Sequence, residues 1–238
     1  MEHDFQVLGV RGVWLKPGGR MKVKLPLIIL VLSLISGACS VSELSAFFGK
    51  YPETSGSLLF QDNFSDPSSG WDRIRTEQGM TDYDGESYRV VVNTPNADYW
   101  ANPGLNFTDV SVEVDAAKIN GPDDNNLGLL CRYQNRENFY FLIISSDGYY
   151  GIGKVEDGNQ VLIEPEQMYP SAVILEGNQN NHLRAVCDGN QLTLYVNGIK
   201  VAETEDQSFL EGDVGLIVGT FDQPGVDVVF DNLIVTVP

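Results

Sequence analysis

Two carboxylates stand two residues apart in Glu113-Val114-Asp115, inside an alternating run. Side chains along a strand point to opposite faces in turn, so Glu113 and Asp115 share one face and Val112 and Val114 the other. Paired carboxyl groups can hydrolyse glycosidic bonds, the retaining reaction placing nucleophile and acid/base about 5 Å apart. The plain alternative is a solvated strand face. Residues 116 and 117 are both alanine, so the strand offers no third carboxylate close behind. After residue 38 the one histidine is His182, on which any Ser-His-Asp triad would have to be built, and no Gly-x-Ser-x-Gly elbow occurs. Zinc spacing, phosphate loops and dinucleotide fingerprints are absent from the sequence. Asp123-Asp124-Asn125-Asn126 is an oxygen-rich turn suited to calcium, without EF-hand spacing. Asp62 and Asp231 form a second calcium candidate if the first and last strands meet. A hydrogen-bonded turn or strand end is the simpler explanation of both, and no other cofactor is expected.

Arginine and aromatic side chains suggest binding rather than chemistry. Tyr and Trp rings stack on sugar CH surfaces, and Arg offers a planar fork to hydroxyls or carboxylates. In Leu129-Leu130-Cys131-Arg132-Tyr133 alternation turns Leu129, Cys131 and Tyr133 inward, so Arg132 should share a sheet surface with Glu113 and Asp115. Tyr140 joins that face if it opposes an inward set of Phe139, Phe141 and Ile143. The expected ligand-binding set is Arg132, Tyr140, Glu113, Asp115, Trp100 and Tyr149, with core packing the alternative for each aromatic.

These residues need strands to hold them. His182 to Val201 is the clearest stretch: Leu183, Ala185 and Cys187 alternate, Asp188-Gly189-Asn190 turns, Leu192, Leu194 and Val196 return, and Asn197-Gly198 carries type I′ turn chemistry. Strand patterns recur over 88–93, 110–116, 127–133, 139–144, 149–154, 161–163, 214–218 and 226–237. Pro, Gly, Asn and Asp clusters separate them, and no 3.6-residue period appears after residue 57. Many short strands at regular spacing predict an all-β, two-sheet antiparallel sandwich over 57–238.

The N-terminal part reads as an address. Lys22 and Lys24, the apolar run Leu25 to Ile35 and Ser36-Gly37-Ala38-Cys39 form an n-region, an h-region and a small-residue cleavage site. On this reading residues 1–20 are an over-extended start, 21–38 a signal peptide and 39–56 a tether. The cleavage site resembles a bacterial lipoprotein lipobox, with Ser36 where Leu is usual. That implies lipidation of Cys39 and a place on the outer face of a cell-envelope membrane, the anchor being the only membrane contact. Plain secretion is the alternative. Export to an oxidising compartment leaves Cys131 and Cys187 as an even pair on inward positions, and a disulfide between them is expected. Two separate buried thiols are the alternative. The formal net charge of −18 repels phosphate, which argues against nucleic acid as a partner.

Phe60-Gln61-Asp62-Asn63-Phe64, Ser69-Gly70-Trp71, Gly128 to Arg132, Phe139-Tyr140-Phe141, Asp147 to Tyr150, Asn181-His182-Leu183, Leu194 to Gly198, Gly212 to Leu216 and Phe230 to Leu233 follow one another in order. This succession resembles concanavalin A-like lectin and glucanase domains, in the laminin-G-like and 3-keto-disaccharide hydrolase-like branch. The resemblance implies a jelly roll with a sugar-binding concave face. Glu113-Val114-Asp115 also resembles the Glu-x-Asp strand of family 16 glycoside hydrolases, but Ala116 and Ala117 stand where its second Glu belongs, so the activity is not carried over. The resulting expectation is a binder of glycan or another extracellular ligand, with a glycoside-active enzyme or a structural adhesion module as alternatives.

Overall fold

The computed structural model describes residues 12–13, 55–163 and 167–238. The over-extended-start, signal-peptide, lipidation and tether readings therefore fall outside the described residues, apart from the two-residue strand at 12–13 in the first and residues 55–56 in the last.

Among the described residues the chain is all β, folded as two antiparallel sheets in a jelly-roll sandwich. The front sheet runs β1 (Gly12–Val13), β6 (Ala97–Ala101), β16 (Asp213–Thr220), β8 (Asn125–Asn135), β9 (Asn138–Ile144), β10 (Tyr149–Glu156) and β11 (Asn159–Leu162), with β12 (Tyr169–Pro170) also on β10. The back sheet runs β15 (Ile199–Glu205), β14 (Gln191–Val196), β13 (Asn180–Asp188), β7 (Val110–Asn120), β17 (Val226–Thr236), β5 (Ser87–Val92), β4 (Gly79–Asp84) and β3 (Ile74–Arg75), with β2 (Leu58–Asp62) also on β17. Only β1 against β6 is parallel; the sequence shows no strand signal there.

The β13–β14–β15 meander forms as expected. Asp188 pairs with Gln191 around Gly189-Asn190, and Asn197 and Gly198 both take positive φ (50° and 81°), as a type I′ turn requires. Cys131 on β8 and Cys187 on β13 form a disulfide that ties front sheet to back, with Cα atoms 6.7 Å apart.

The main core lies between the sheets. Leu129, Tyr140, Leu142, Ile144 and Leu216 meet Val112, Val114, Leu183, Leu194 and Phe230 there. A second apolar cluster is drawn from the front sheet alone: Trp100, Leu130, Phe139, Phe141, Ile143, Val155 and Ile217. It occupies the face turned away from the back sheet. Leu162 and Met168 pack against it.

This second layer corrects the expected facing of β9. Phe139, Phe141 and Ile143 point outward, and Tyr140, Leu142 and Ile144 point into the sandwich. Both rows of Phe139 to Ile144 are apolar, so alternation has no polar row to mark the outside. Tyr133 is corrected as well. The β8–β9 and β8–β16 ladders both slip beside Arg132, which sits at φ 51° in a β-bulge. One extra residue reverses the facing of everything after it, so Tyr133 joins Trp100 and Phe139 on the outer face. Gly212 lies against this bulge, where a Cβ would overlap the Arg132 carbonyl carbon.

Candidate functional site

The outer face of the front sheet holds a cavity of about 290 Å³. Its floor follows from glycines. Gly151 and Gly153 both face outward on β10, two apart. A Cβ on Gly153 would overlap the Phe141 ring, so its absence lets the ring lie down on the sheet. Leu162 and Met168 lie over Gly151, their nearest carbons 3.0 and 3.4 Å from where a Cβ would be. At the other end Gly219 of β16 leaves room for Asp98 and Asn126, whose Nδ2 donates to Asp98 Oδ1 at 3.0 Å. Glycine inside a strand marks such close approaches.

The cavity thus has an apolar side of Phe141, Ile143, Leu162 and Met168 and a polar end of Asp98, Asn126 and Gln160. Asn126 is 4% exposed, yet its Oδ1 has no hydrogen-bond partner, and neither has the buried Oε1 of Gln160. A buried carbonyl oxygen without a donor costs about 1–3 kcal/mol. Pockets that take small ligands are apolar with a few convergent polar groups, and this one lies near their lower size limit of about 300 Å³.

A second, more open cavity of about 430 Å³ adjoins the first, sharing Asn96, Met168 and Phe221 with it. Tyr149, 40% exposed, stands at its rim beside Asp124, Asp147 and Asp222.

The expected ligand set is therefore dispersed. Arg132 is 1% exposed and does not share a face with Glu113 and Asp115. The bulge turns its guanidinium into the sandwich margin, where Nη1 donates to the Phe209 carbonyl (2.9 Å), Nε to the Thr108 carbonyl (3.3 Å) and Nη2 to Asp109 (3.1 Å). Tyr140 is wholly buried in the main core; its hydroxyl donates to Asp206 Oδ1 at 2.5 Å and accepts from the Phe209 N–H at 3.1 Å. Burial and then the Asp206 bond push the phenol up to about 12. Burial acts to raise Asp206, but the Tyr140 hydroxyl, the Ser208 N–H and Lys154 outweigh it and hold the carboxyl at about 2. Trp100 belongs to the outer cluster of the front sheet, 3% exposed, and of the set Tyr149 lines the second of these two cavities.

Glu113 and Asp115 do share a face, the outer side of the back sheet. His182 from β13 stands between them, Nε2 3.2 Å from Glu113 Oε2 and Nδ1 3.0 Å from Asp115 Oδ1. Only the doubly protonated ring offers both carboxylates a donor. Asn232 donates to the other Asp115 oxygen, and Arg184 stacks 3.8 Å over Tyr195 nearby. The two calcium candidates have partners within the protein. Asn125 Nδ2 donates to the Pro122 carbonyl, and Asp62 accepts from Trp71 Nε1, Ser69 and the Phe64 N–H, opposite Leu233 and not Asp231. Among the described residues no cluster of three or more His, Cys, Asp or Glu side chains has metal-binding geometry.

Gln160 went unread in the sequence, Asn126 was read only as part of an oxygen-rich turn and Phe141 only as an inward residue. The one signal was Gly151-Ile152-Gly153, two glycines on one face of a strand.

No family model and no curated protein matches the sequence. Solved structures do. The chain is similar to the carbohydrate-binding module CBM66 from Bacillus subtilis (TM-score 0.58, 20% identity, covering 70% of this chain and 95% of that one). It is also similar to a Bacillus subtilis protein of unknown function with a galectin-like fold (TM-score 0.56, 14% identity, 77% and 97% covered). A third is the endo-β-1,3-glucanase from Pyrococcus furiosus (TM-score 0.55, 11% identity, 76% and 94% covered). At these identities the likeness is one of fold, a sandwich found in sugar-binding modules and in a glucanase alike.

Proposed function

We propose that this chain is an exported protein, anchored in the envelope through Cys39, whose sandwich binds glycan on the outer face of the front sheet without cleaving it. The observation that carries the binding site is the cavity lined by Phe141, Ile143, Leu162 and Met168 on one side and by the amides of Asn96, Asn126, Gln160 and Gln167. A sugar has both complements: CH surfaces for the apolar side and hydroxyls for the amides. The fold shared with carbohydrate-binding modules supports the reading. The Cys131–Cys187 disulfide supports export, since such bonds persist in oxidising compartments.

The test is a glycan array probed with the full chain, followed by calorimetry on any ligand found. Asn126→Ala is expected to weaken that ligand about ten-fold, equivalent to about 1.4 kcal/mol, with a fall in melting temperature from the lost bond to Asp98. An array without a binder refutes the reading.

A glycoside-active enzyme is the second reading, favoured by the half-buried pair Glu113 and Asp115 with His182 between them. Release of reducing sugar from a glycan that the array identifies, abolished by Glu113→Gln, would establish it in place of simple binding.

A further inference from the structure

We propose that Lys118 and Asn178 join in a spontaneous isopeptide bond that closes one end of the back sheet covalently.

The inward row of β7 is Val112, Val114, Ala116 and Lys118, so a lysine ends a row that otherwise packs the core. Its side chain is 4% exposed. A buried ammonium needs partners, and this one has three. Nζ donates to Asn178 Oδ1 at 2.6 Å and to the Gly121 carbonyl at 3.0 Å, and lies 2.9 Å from Asp123 Oδ1. Register brings the three together. β13 pairs antiparallel with β7, Asn180 opposite Ala117, which sets Asn178 beside Lys118 and Ile119. Asn178 Nδ2 donates to the Ile119 carbonyl at 3.5 Å, which orients the amide. Gly121, at φ 98°, turns the chain so that Asp123 meets the same amine.

An ion pair and a carbonyl would suffice to hold the ammonium in place. What sets this end of the sheet apart is an amine in contact with both an amide and a carboxylate: nucleophile, electrophile and proton carrier. With a carbonyl bond of about 1.2 Å, Asn178 Cγ lies within about 3.8 Å of Nζ. Attack begins from about 3–3.5 Å, and groups held this way react as if at about 10⁵–10⁸ M.

The Lys118 ammonium passes one proton to Asp123, and the free amine attacks Asn178 Cγ. The Nζ–Cγ bond forms and the Cγ–Nδ2 bond breaks. Asp123 carries two protons in turn from Nζ: the first makes the leaving Nδ2 ammonia, and the second departs with it as ammonium. The product is a secondary amide without the lysine charge. No oxidant, reductant or cofactor enters the balance.

The full chain, incubated folded near neutral pH, is reduced, alkylated and digested with trypsin, and the peptides are measured by mass spectrometry. Trypsin does not cut after an acylated lysine. Peptide 90–132 is therefore expected uncut at Lys118 and joined to peptide 155–184, about 17 Da below their summed sequence masses. Lys118→Arg and Asn178→Ala should each give no joined species; Asn178 is exposed, so its replacement leaves the fold intact. Asn178→Asp should still join, with loss of water in place of ammonia. Asp123→Asn should slow joining about 100-fold or more. Separate peptides cut after Lys118 in the parent chain overturn the proposal. So does an ammonia loss confined to peptide 155–184, which is closure of Asn178 onto its own backbone. Joining that persists in Asn178→Ala, or runs as fast in Asp123→Asn, overturns the assignment of those residues.

Discussion

Replacing Arg132 by alanine distinguishes an internal brace from a ligand contact. The guanidinium is 1% exposed and reaches two backbone carbonyls and one carboxylate. The Asp109 partner is 47% exposed, so that pair is screened and contributes about 0.5 kcal/mol. The Thr108 and Phe209 carbonyls matter more. The buried Phe209 carbonyl left without a donor costs about 1–3 kcal/mol, the Thr108 carbonyl of an exposed residue less, and removing the buried stem leaves a cavity besides. The sum is about 3–5 kcal/mol. For a domain of this size each kcal/mol shifts the melting temperature by about 2–4 °C, so Arg132→Ala should melt about 10 °C lower. Arg132→Lys should fall between, since one ammonium cannot span three acceptors fixed in a fork. Scanning calorimetry with matched chemical denaturation measures both variants. If Arg132→Ala melts within about 1 °C of the parent and loses glycan affinity, the side chain serves ligand and the brace is refuted.

Removing the disulfide with Cys131→Ala and Cys187→Ala should cost about 4 kcal/mol for a sequence separation of 56, read as a lower urea midpoint; equal midpoints with and without reductant would contradict the bridge. The Asp206 carboxyl, at about 2 when folded against 3.8 unfolded, contributes stability that is present above pH 4 and lost as pH falls from 4 towards 2. Asp206→Asn should therefore flatten the acid side of the stability curve in that window, and an unchanged curve would count against the Tyr140–Asp206–Lys154 network. Cys39→Ala should move the protein from the membrane to the soluble fraction, and unchanged partitioning would refute the lipid anchor.

Much of the architecture was written in local pattern. Asn197-Gly198 demanded positive φ at two consecutive residues, and the flanking alternation of Leu183 to Cys187 and Leu192 to Val196 could serve only half-buried strands. Cys131 and Cys187 were legible as core neighbours because each stood on an apolar row, and Glu113 and Asp115 as sharers of one face, because the strand period is two. The short strands β3, β6 and β12 were not, having too few residues to show a period.

What the tertiary structure alone decided was the outer side of the front sheet. Phe139 to Ile144 is apolar in both rows, so nothing local distinguished core from second layer. A single bulge at Arg132 then overturned the facing of Arg132 and Tyr133, because register errors invert every later side chain in a strand. The candidate cleft gathers Asp98 from β6, Asn126 from β8, Phe141 from β9, Gln160 from β11 and Thr220 from β16. These residues are far apart in the chain, and no spacing rule links them. Strand order brings them together, and the glycines that make the space act by having no side chain for a sequence pattern to register.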